Sequence, residues 1–562
     1  MENVLVKTPK PPPLKSLYGL TKPARALTAH LAQHPELLVK TPLKYAAGVG
    51  ALGAYAVGRT LGLKPAPVRE PTRGDRRFRD DAWAESLPFD LLKQHYLLAA
   101  EAAESLVAET SDFEGKEAEQ ARFWMGQLTS AASPGNVPFT NPQVVRKTLE
   151  TGGANLRRGL ANLIEDFSPE QGQLRISMTD SSAFEVGENV ATTPGKVVFR
   201  NELIELLQFT PTTDTVHKTP LMIVPPWINK YYILDLREDN SLIRWLVGQG
   251  YTLFVISWVN PGSSLAHIDF ADYMRLGLME ALKAVEQATG ERSVNAVGYC
   301  IGGTLLAATL ARMAAENDDR IASATFLTTQ VDFSEAGELG VFIDDAQLDM
   351  LEQQMEQRGY LDGATMAGSF NMLRANDLIW SFVINNYLLG EKPKAFDLLY
   401  WNSDATRMPR AMHMYYLRNM YLHNRLVQPD ALELDGVPID LRRVNIPVYL
   451  QSSVDDHIAP YPSVYKATQH YSGPVTFMLA GSGHIAGVVN PPSAKKYFYM
   501  TNDDVPESVE AWKEGAERHD GSWWPHWNAW LRSRSGEEVP ARDPGAEALP
   551  PIEDAPGSYV KA

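Results

Sequence analysis

From residue 196 onward the chain alternates short apolar, β-branched runs with longer stretches of helical periodicity. The runs VVFR (197–200), LMIVPPW (221–227), TLFVISW (252–258), VNAVGY (294–299), ATFLTTQVDF (324–333), VYLQSSVDD (448–456) and VTFMLAGSGH (475–484) predict strands. Between them, stretches such as ADYMRLGLMEALKAVEQATG (271–290) predict amphipathic helices. Strands that are apolar on both faces and separated by helices imply a parallel sheet covered on both sides, an α/β fold.

The remaining segments have a different texture. Residues 1–70 are punctuated by proline (KPPPLK, HPELL, KPAPVREP) and carry one small-residue apolar run, YAAGVGALGAYAVG (45–58). They predict an N-terminal extension, followed over 71–195 by a mainly helical N-terminal domain containing LLKQHYLLAAEAAESLVAET (91–110). Within the α/β part, 196–535, the rhythm breaks between 333 and about 445 into helical, aromatic-rich stretches: DLIWSFVINNYLLG, FDLLYWNSDATRMP and MHMYYLRNMYLHNRL. An insertion between two core strands predicts a helical cap, because α/β folds carry their chemistry at the carboxyl ends of the strands. The tail, 536–562, is rich in proline, glycine and acids and predicts disorder.

Charge and cysteine content narrow the setting. The net charge of −16 speaks against a general nucleic-acid binder. It is unevenly spread: residues 1–70 hold ten Lys/Arg against three Asp/Glu, a local +7 that leaves −23 for the rest. A basic head with an apolar run suits an acidic or lipid-like surface, and equally a docked helical extension. No apolar run approaches the roughly 20 residues that cross a bilayer, and the first residues lack the features of a secretory signal. A lone cysteine forms no internal disulfide, which fits a reducing, cytoplasmic setting.

That single cysteine lies in VNAVGYCIGGTLLAATLARMAA: strand, tight turn, helix, with Gly298-Tyr299-Cys300-Ile301-Gly302 at the turn. This is the G-x-S-x-G nucleophile elbow of the α/β-hydrolase fold with sulfur in place of oxygen, and it sets the thiol at a helix N-terminus. On this fold an acid follows a later strand and a histidine the last one. Asp455 and Asp456 follow VYLQSS, and His484 follows VTFMLA. Alone, a buried Cys is an inert small hydrophobe, an Asp after a strand a turn former, and a loop His merely exposed. Together, in this order and on these elements, they predict a catalytic triad. The oxyanion hole would take the backbone N–H of Ile301 and that of Ile228 or Asn229, from the PPWINK loop. No metal-ligand spacing or phosphate-binding glycine loop occurs, and the isolated His519-Asp520 pair has no evident partners. The WWPHWNAW run (523–530) predicts core or dimer packing.

Along most of its length the chain resembles the class I polyhydroxyalkanoate synthases, the poly(3-hydroxybutyrate) polymerases. The strings DRRFRDDAW, TGGANLRRG, PPWINKYYILDL, FVISWVNP, GYCIGGTL, FLTTQVDF, LRANDLIW, LLYWNSDATRMP, DDHIAP and GSGHIAGVVNPP carry the resemblance. It implies Cys300 as nucleophile, His484 as general base and Asp456 rather than Asp455 as the acid. Asp456 would either orient His484 or activate the 3-hydroxyl. His457 would line the pocket. Independently of the resemblance, the aromatic cap segment containing Trp380, Tyr387, Tyr400 and Trp401 suits a site that must keep water out, with Tyr400 and Trp401 as pocket candidates, against ordinary packing of a helical subdomain for most of the four. The substrate implied is a short (R)-3-hydroxyacyl-CoA, with coenzyme A as leaving group and no cofactor. Arg374 and Arg407 are candidates for its phosphates, against a plain reading as solvated surface charges. The resemblance further implies a homodimer located at the surface of polyester granules in the cytoplasm. Sulfur suits a polymerase, since acyl transfer between thioesters keeps the acyl group activated. A cysteine-dependent ester or lactone hydrolase and a catalytically idle granule-coat protein are the competing readings.

Overall fold

The computed structural model describes residues 18–72, 74–108, 113–168 and 173–562. The chain divides into a unit made of its first 178 residues with 374–393, and a second unit made of 179–373 with 394–562.

The first unit is helical: α1 (Tyr18–Gln33), α2 (Leu37–Thr60), α3 (Leu87–Ala108), α4 (Lys116–Ala131), α5 (Pro142–Thr151) and α6 (Ala154–Asp166). Residues 1–70 are not a separate extension where they are described. The Tyr55 hydroxyl of α2 donates to the buried Asp90 of α3 at 2.6 Å, Arg59 reaches the same carboxylate at 3.1 Å, and Tyr45 pairs with His95 at 2.8 Å. A buried carboxylate costs stability unless donors surround it, so Asp90 fixes the pairing of the two helices. Residues 374–393 join this unit, although sequence rhythm assigns them to the cap. Asn155 of α6 donates to Leu388 O at 2.8 Å, Asn162 to Asn386 O at 2.9 Å, and Tyr387 to Asp166 at 2.6 Å. Trp380 and Tyr387 are therefore part of the helical unit, and so is the exposed Arg374.

The second unit is built on an eleven-stranded sheet. In chain order its strands are β1 (Gly195–Arg200), β2 (Ile204–Phe209), β3 (Leu221–Val224), β4 (Leu253–Trp258), β5 (Val294–Tyr299), β6 (Ile321–Leu327), β7 (Val448–Ser453), β8 (Val475–Ala480), β9 (Phe498–Thr501), β10 (Glu517–Asp520) and β11 (Glu553–Asp554). They lie side by side as β10-β9-β8-β7-β6-β5-β3-β4-β2-β1-β11. The six central strands, β4 to β8 with β3, run parallel. Both margins are antiparallel, so the sheet is mixed rather than wholly parallel. Side chains alternate along each central strand: Phe254 and Ile256 of β4 enter one core, Leu253 and Val255 the other. Burial on both faces is what the uninterrupted apolar runs reflect, at about 1.5–3 kcal/mol for each large side chain removed from water. The insertion between β6 and β7 supplies the helical and aromatic segments around 345–427.

The C-terminal tail, read as disordered from its composition, is ordered. Glu538–Pro540 pairs with Thr215–His217, and β11 closes the sheet edge on β1. Glu205, buried on β2, accepts from the backbone N–H of Tyr559 at 3.0 Å and from Arg200 at 2.8 Å, while Tyr559 donates to Asn201 O at 2.5 Å. Composition misled because a Pro- and acid-rich segment needs no core of its own when an open sheet edge and a buried carboxylate receive it. Deleting residues 552–562 is expected to lower the unfolding midpoint by several degrees in scanning calorimetry, in keeping with about 1–3 kcal/mol for a buried acceptor stripped of donors; an unchanged midpoint would show that the clasp carries no stability.

Candidate active site

β5 ends at Tyr299, and α7 (Ile301–Ala315) begins immediately after Cys300, so one residue must reverse the chain. Cys300 does so at φ 52° and ψ −125°, a strained backbone for any residue with a side chain. The turn closes only because its flanks are glycine. A Cβ on Gly298 would lie 2.4 Å from Gly303 Cα, and one on Gly302 would lie 2.3 Å from Val224 O and 2.6 Å from Pro225 O. The Cys300 N–H donates to Leu327 O of β6 at 2.9 Å, and its carbonyl accepts from Gly303 and Thr304 at 2.9 and 3.1 Å. Thr329 Oγ1 lies 3.3 Å from the same carbonyl. The side chain of Cys300 is left partly accessible at the start of α7, where N–H groups lack partners within the helix.

Asp456 and His484 come from the loops after β7 and β8. The Nδ1 of His484 is 2.7 Å from Asp456 Oδ2. The other carboxylate oxygen accepts the backbone N–H groups of Ile458 and Ala459, both at 2.9 Å. Asp455 is exposed, and its backbone N–H donates to Ser482 O at 2.9 Å. With Nδ1 committed to Asp456, the other ring nitrogen of His484 is the one left to serve Cys300, which lies near enough to influence the ring. Burial works against a charged ring and is the largest single influence. The Asp456 carboxylate, the hydrogen bond to it and the neighbouring Cys300 outweigh it, and push the imidazole up to about 10.

Tyr416 and Tyr421, near this constellation, were not singled out from the sequence. The phenols of Tyr416 and Tyr421 lie near enough to Cys300 to be influenced by it. Burial first, then Cys300, holds both above the ordinary phenol range; Tyr421 adds to the effect on Tyr416, whereas the bond to Tyr416 works the other way on Tyr421, and both remain neutral hydrogen-bond donors. Their rings pack on Phe333 at centroid distances of 6.0 and 4.8 Å. That corner is tied to the sheet by Asp332, which accepts from Asn424 at 2.9 Å and from Ser334 at 2.6 Å, while Phe333 N–H donates to Asn424 at 2.8 Å. Trp523 and Trp524 donate their indole N–H groups to Gly487 O and Val488 O at 2.7 and 2.9 Å, bracing the loop that carries His484. The only sequence signal for the tyrosines was the aromatic density of the insertion; their side-by-side placement depends on a π-helical turn over Leu417–Leu422.

The remaining candidates are placed as follows. The Trp401 indole donates to Lys230 O at 2.6 Å, and the Tyr400 ring packs on Phe184 at 5.0 Å and Tyr232 at 6.3 Å. His457 is half-buried beside Asp456, with its carbonyl 3.0 Å from where a Cβ on Gly337 would lie. Arg407 stacks over Tyr360 at 5.0 Å. Ile301 begins α7, and Ile228 and Asn229 lie on the loop that Gly302 abuts.

A parallel-centred sheet with a cysteine at its strand-to-helix elbow, and an acid and a histidine after later strands, defines an enzyme of the α/β-hydrolase fold; residues 226–491 match the family model of that description. Residues 74–246 match the model described as the N-terminus of poly-beta-hydroxybutyrate polymerase. A poly(3-hydroxyalkanoate) polymerase of Methylorubrum extorquens is 51% identical over 528 residues, 94% of this chain and 87% of that protein. Polymerase subunits of Rhizobium etli and Cupriavidus necator are 50% and 43% identical, over 88% and 87% of this chain and 78% and 83% of their own lengths. The chain belongs to the poly(3-hydroxyalkanoate) polymerase family.

The raised imidazole has a consequence for stability. A group whose value in the folded protein exceeds the ordinary 6.5 contributes stability in full below about pH 6.5 and loses it as pH climbs toward 10. Asp456→Asn keeps an oxygen for the Ile458 and Ala459 N–H groups but removes the charge beside the ring. The stability deficit of this variant, followed by thermal unfolding, is expected to be largest near pH 6 and to shrink between pH 7 and 10; a deficit flat across that range would contradict the assigned ion pair.

Proposed function

We propose that this class I polymerase builds its polyester on Cys300. The observation that carries the reading is the strained elbow cysteine beside an imidazole whose far nitrogen is fixed 2.7 Å from a buried carboxylate. Its substrate is a short-chain (R)-3-hydroxyacyl-CoA. His484 already carries the proton of the Cys300 thiol when sulfur attacks the thioester carbonyl, and it gives that proton to the coenzyme A sulfur as the carbon–sulfur bond of the substrate breaks. The 3-hydroxyl of another unit then attacks the acyl-cysteine. Its proton passes to His484, an oxoester forms, and Cys300 regains a proton when the carbon–sulfur bond is cleaved. The N–H of Ile301 and that of Ile228 or Asn229 receive the oxyanion in both steps.

Asp456 acts by orienting and charging His484. Both of its oxygens are committed, one to the ring and one to two backbone N–H groups, and its side chain is fully buried. That favours the orienting role over direct activation of the 3-hydroxyl. The aromatic roof of Tyr416, Tyr421 and Phe333 suits a site that must keep water from a reactive acyl-enzyme. Among the described residues no helix is long and apolar enough to cross a membrane. Instead α2 leaves Leu38, Val39, Leu43 and Val57 exposed, a face suited to lie on an apolar polyester granule in the cytoplasm. Assembly as a homodimer follows from the family resemblance alone.

The test is to supply purified protein with (R)-3-hydroxybutyryl-CoA while following thiol release and product size. Coenzyme A release with long polyester is expected; free hydroxy acid would identify a hydrolase, and no turnover a granule-coat protein. Cys300→Ser should lower polymerisation by at least about a thousandfold without shifting the unfolding midpoint; retained activity would remove Cys300 from its role.

A further inference from the structure

The loop after β3 reads Pro225-Pro226-Trp227-Ile228-Asn229-Lys230 and lacks regular structure until the 3₁₀ turn at Tyr231–Leu234. Every residue from 227 to 230 is bonded to one short stretch far along the chain, residues 401–406. The Thr406 hydroxyl donates to Trp227 O, and its backbone N–H donates to Ile228 O at 3.0 Å. Asn229 pairs with Ala405 as an antiparallel bridge, and its amide nitrogen is 3.5 Å from the carbonyls of Trp401 and Asn402. Lys230 O receives the Trp401 indole N–H at 2.6 Å, and Lys230 Nζ pairs with Asp404 at 2.9 Å. Asp404 also accepts the Tyr232 hydroxyl at 2.8 Å. Thr406 is buried and the Lys230 side chain nearly so, which makes these bonds costly to break. The same loop presses on the start of α7, because Gly302 approaches Val224 O and Pro225 O more closely than a Cβ would allow.

We propose that residues 401–406 are a positioning clamp for acyl transfer. They fix the backbone at 227–229 so that an N–H of Ile228 or Asn229 faces the place where the oxyanion forms beside Ile301. The inference rests on the proposed role of Cys300 and adds an acting part for the insertion: it sets half of the oxyanion hole as well as covering it. An oxyanion donor is worth about a hundred- to a thousandfold in kcat, and a displacement of about 1 Å about a hundredfold. Thr406 and Asp404 touch no reacting atom and act through the loop.

Thr406→Val keeps the branched shape and deletes only the hydroxyl bond to Trp227 O; Thr406→Ser restores it. Asp404→Asn leaves an acceptor for Tyr232 but removes the charge facing Lys230. Each full-length variant is assayed for kcat and KM with (R)-3-hydroxybutyryl-CoA. The rate at which iodoacetamide alkylates Cys300 is measured separately, since that displacement builds no oxyanion. Thr406→Val is expected to lose about ten- to a hundredfold in kcat, with KM and alkylation close to the parent and most of the loss recovered in Thr406→Ser. Should Thr406→Val not fold, Asp404→Asn carries the same test. Parental kcat in both variants overturns the proposal, and so does alkylation falling in step with kcat, which assigns the segment to general packing. An active Cys300→Ser defeats the parent reading instead, whereas an inactive Cys300→Ser beside fully active Thr406→Val and Asp404→Asn defeats the clamp alone.

Discussion

The left-handed backbone of Cys300 is the constraint on which the site depends. A residue at φ 52° between a buried strand and a buried helix persists only if its surroundings over-determine it. Here the strand supplies the Leu327 carbonyl, the helix its first turn, and the two flanking glycines the room for both to meet. The thiol is thereby set at the carboxyl edge of the parallel strands, partly accessible. His484 and Asp456, at the ends of the neighbouring parallel strands, need only short loops to reach it. Parallel order across β5, β6, β7 and β8 is what brings three residues distant in sequence to one edge.

Around that edge the fold surrounds a small reactive group with rigid supports. Indoles from α8 (Trp524–Arg532) and the adjoining Trp523 hold the carbonyls of the histidine loop. Asp332 and Asn424 tie the tyrosine-bearing turn to the loop after β6. Residues 401–406 hold the loop after β3. Each support is a buried polar bond to backbone or to a charged partner, the kind that is expensive to leave unmade and therefore specifies one arrangement. With the acyl group carried on Cys300 as proposed, such a site gains from having few ways to relax and admit water.

Much of this was legible in the sequence, for identifiable reasons. The core strands announce themselves because burial on both faces leaves an apolar run without alternation, and the elbow because only glycine fits at Gly298 and Gly302. Asp456 and His484 follow from topology once the elbow is placed. What was not legible depends on partners far along the chain. Strand β11 and the ordered tail exist only through the open edge of β1 and the buried Glu205, and nothing local to 536–562 signals either. Residues 374–393 carry the same aromatic texture as the rest of the insertion, yet pack through Asn155 and Asn162 into the helical unit. Trp401 reads as a pocket aromatic, but its indole N–H is committed to Lys230. Tyr416 and Tyr421 were hidden because a π-helical turn breaks the spacing by which a helix face is read.

The central claim is that Cys300 carries the growing chain as a thioester. The most direct measurement mixes the protein with (R)-3-hydroxybutyryl-CoA, quenches it in acid during turnover, and locates the added acyl mass by peptide mass spectrometry, with and without neutral hydroxylamine. The account predicts hydroxybutyryl units on the peptide containing Cys300, released by hydroxylamine as a thioester is. Continued polymer synthesis with that peptide unmodified, or with acyl groups held elsewhere as hydroxylamine-resistant esters, would contradict it.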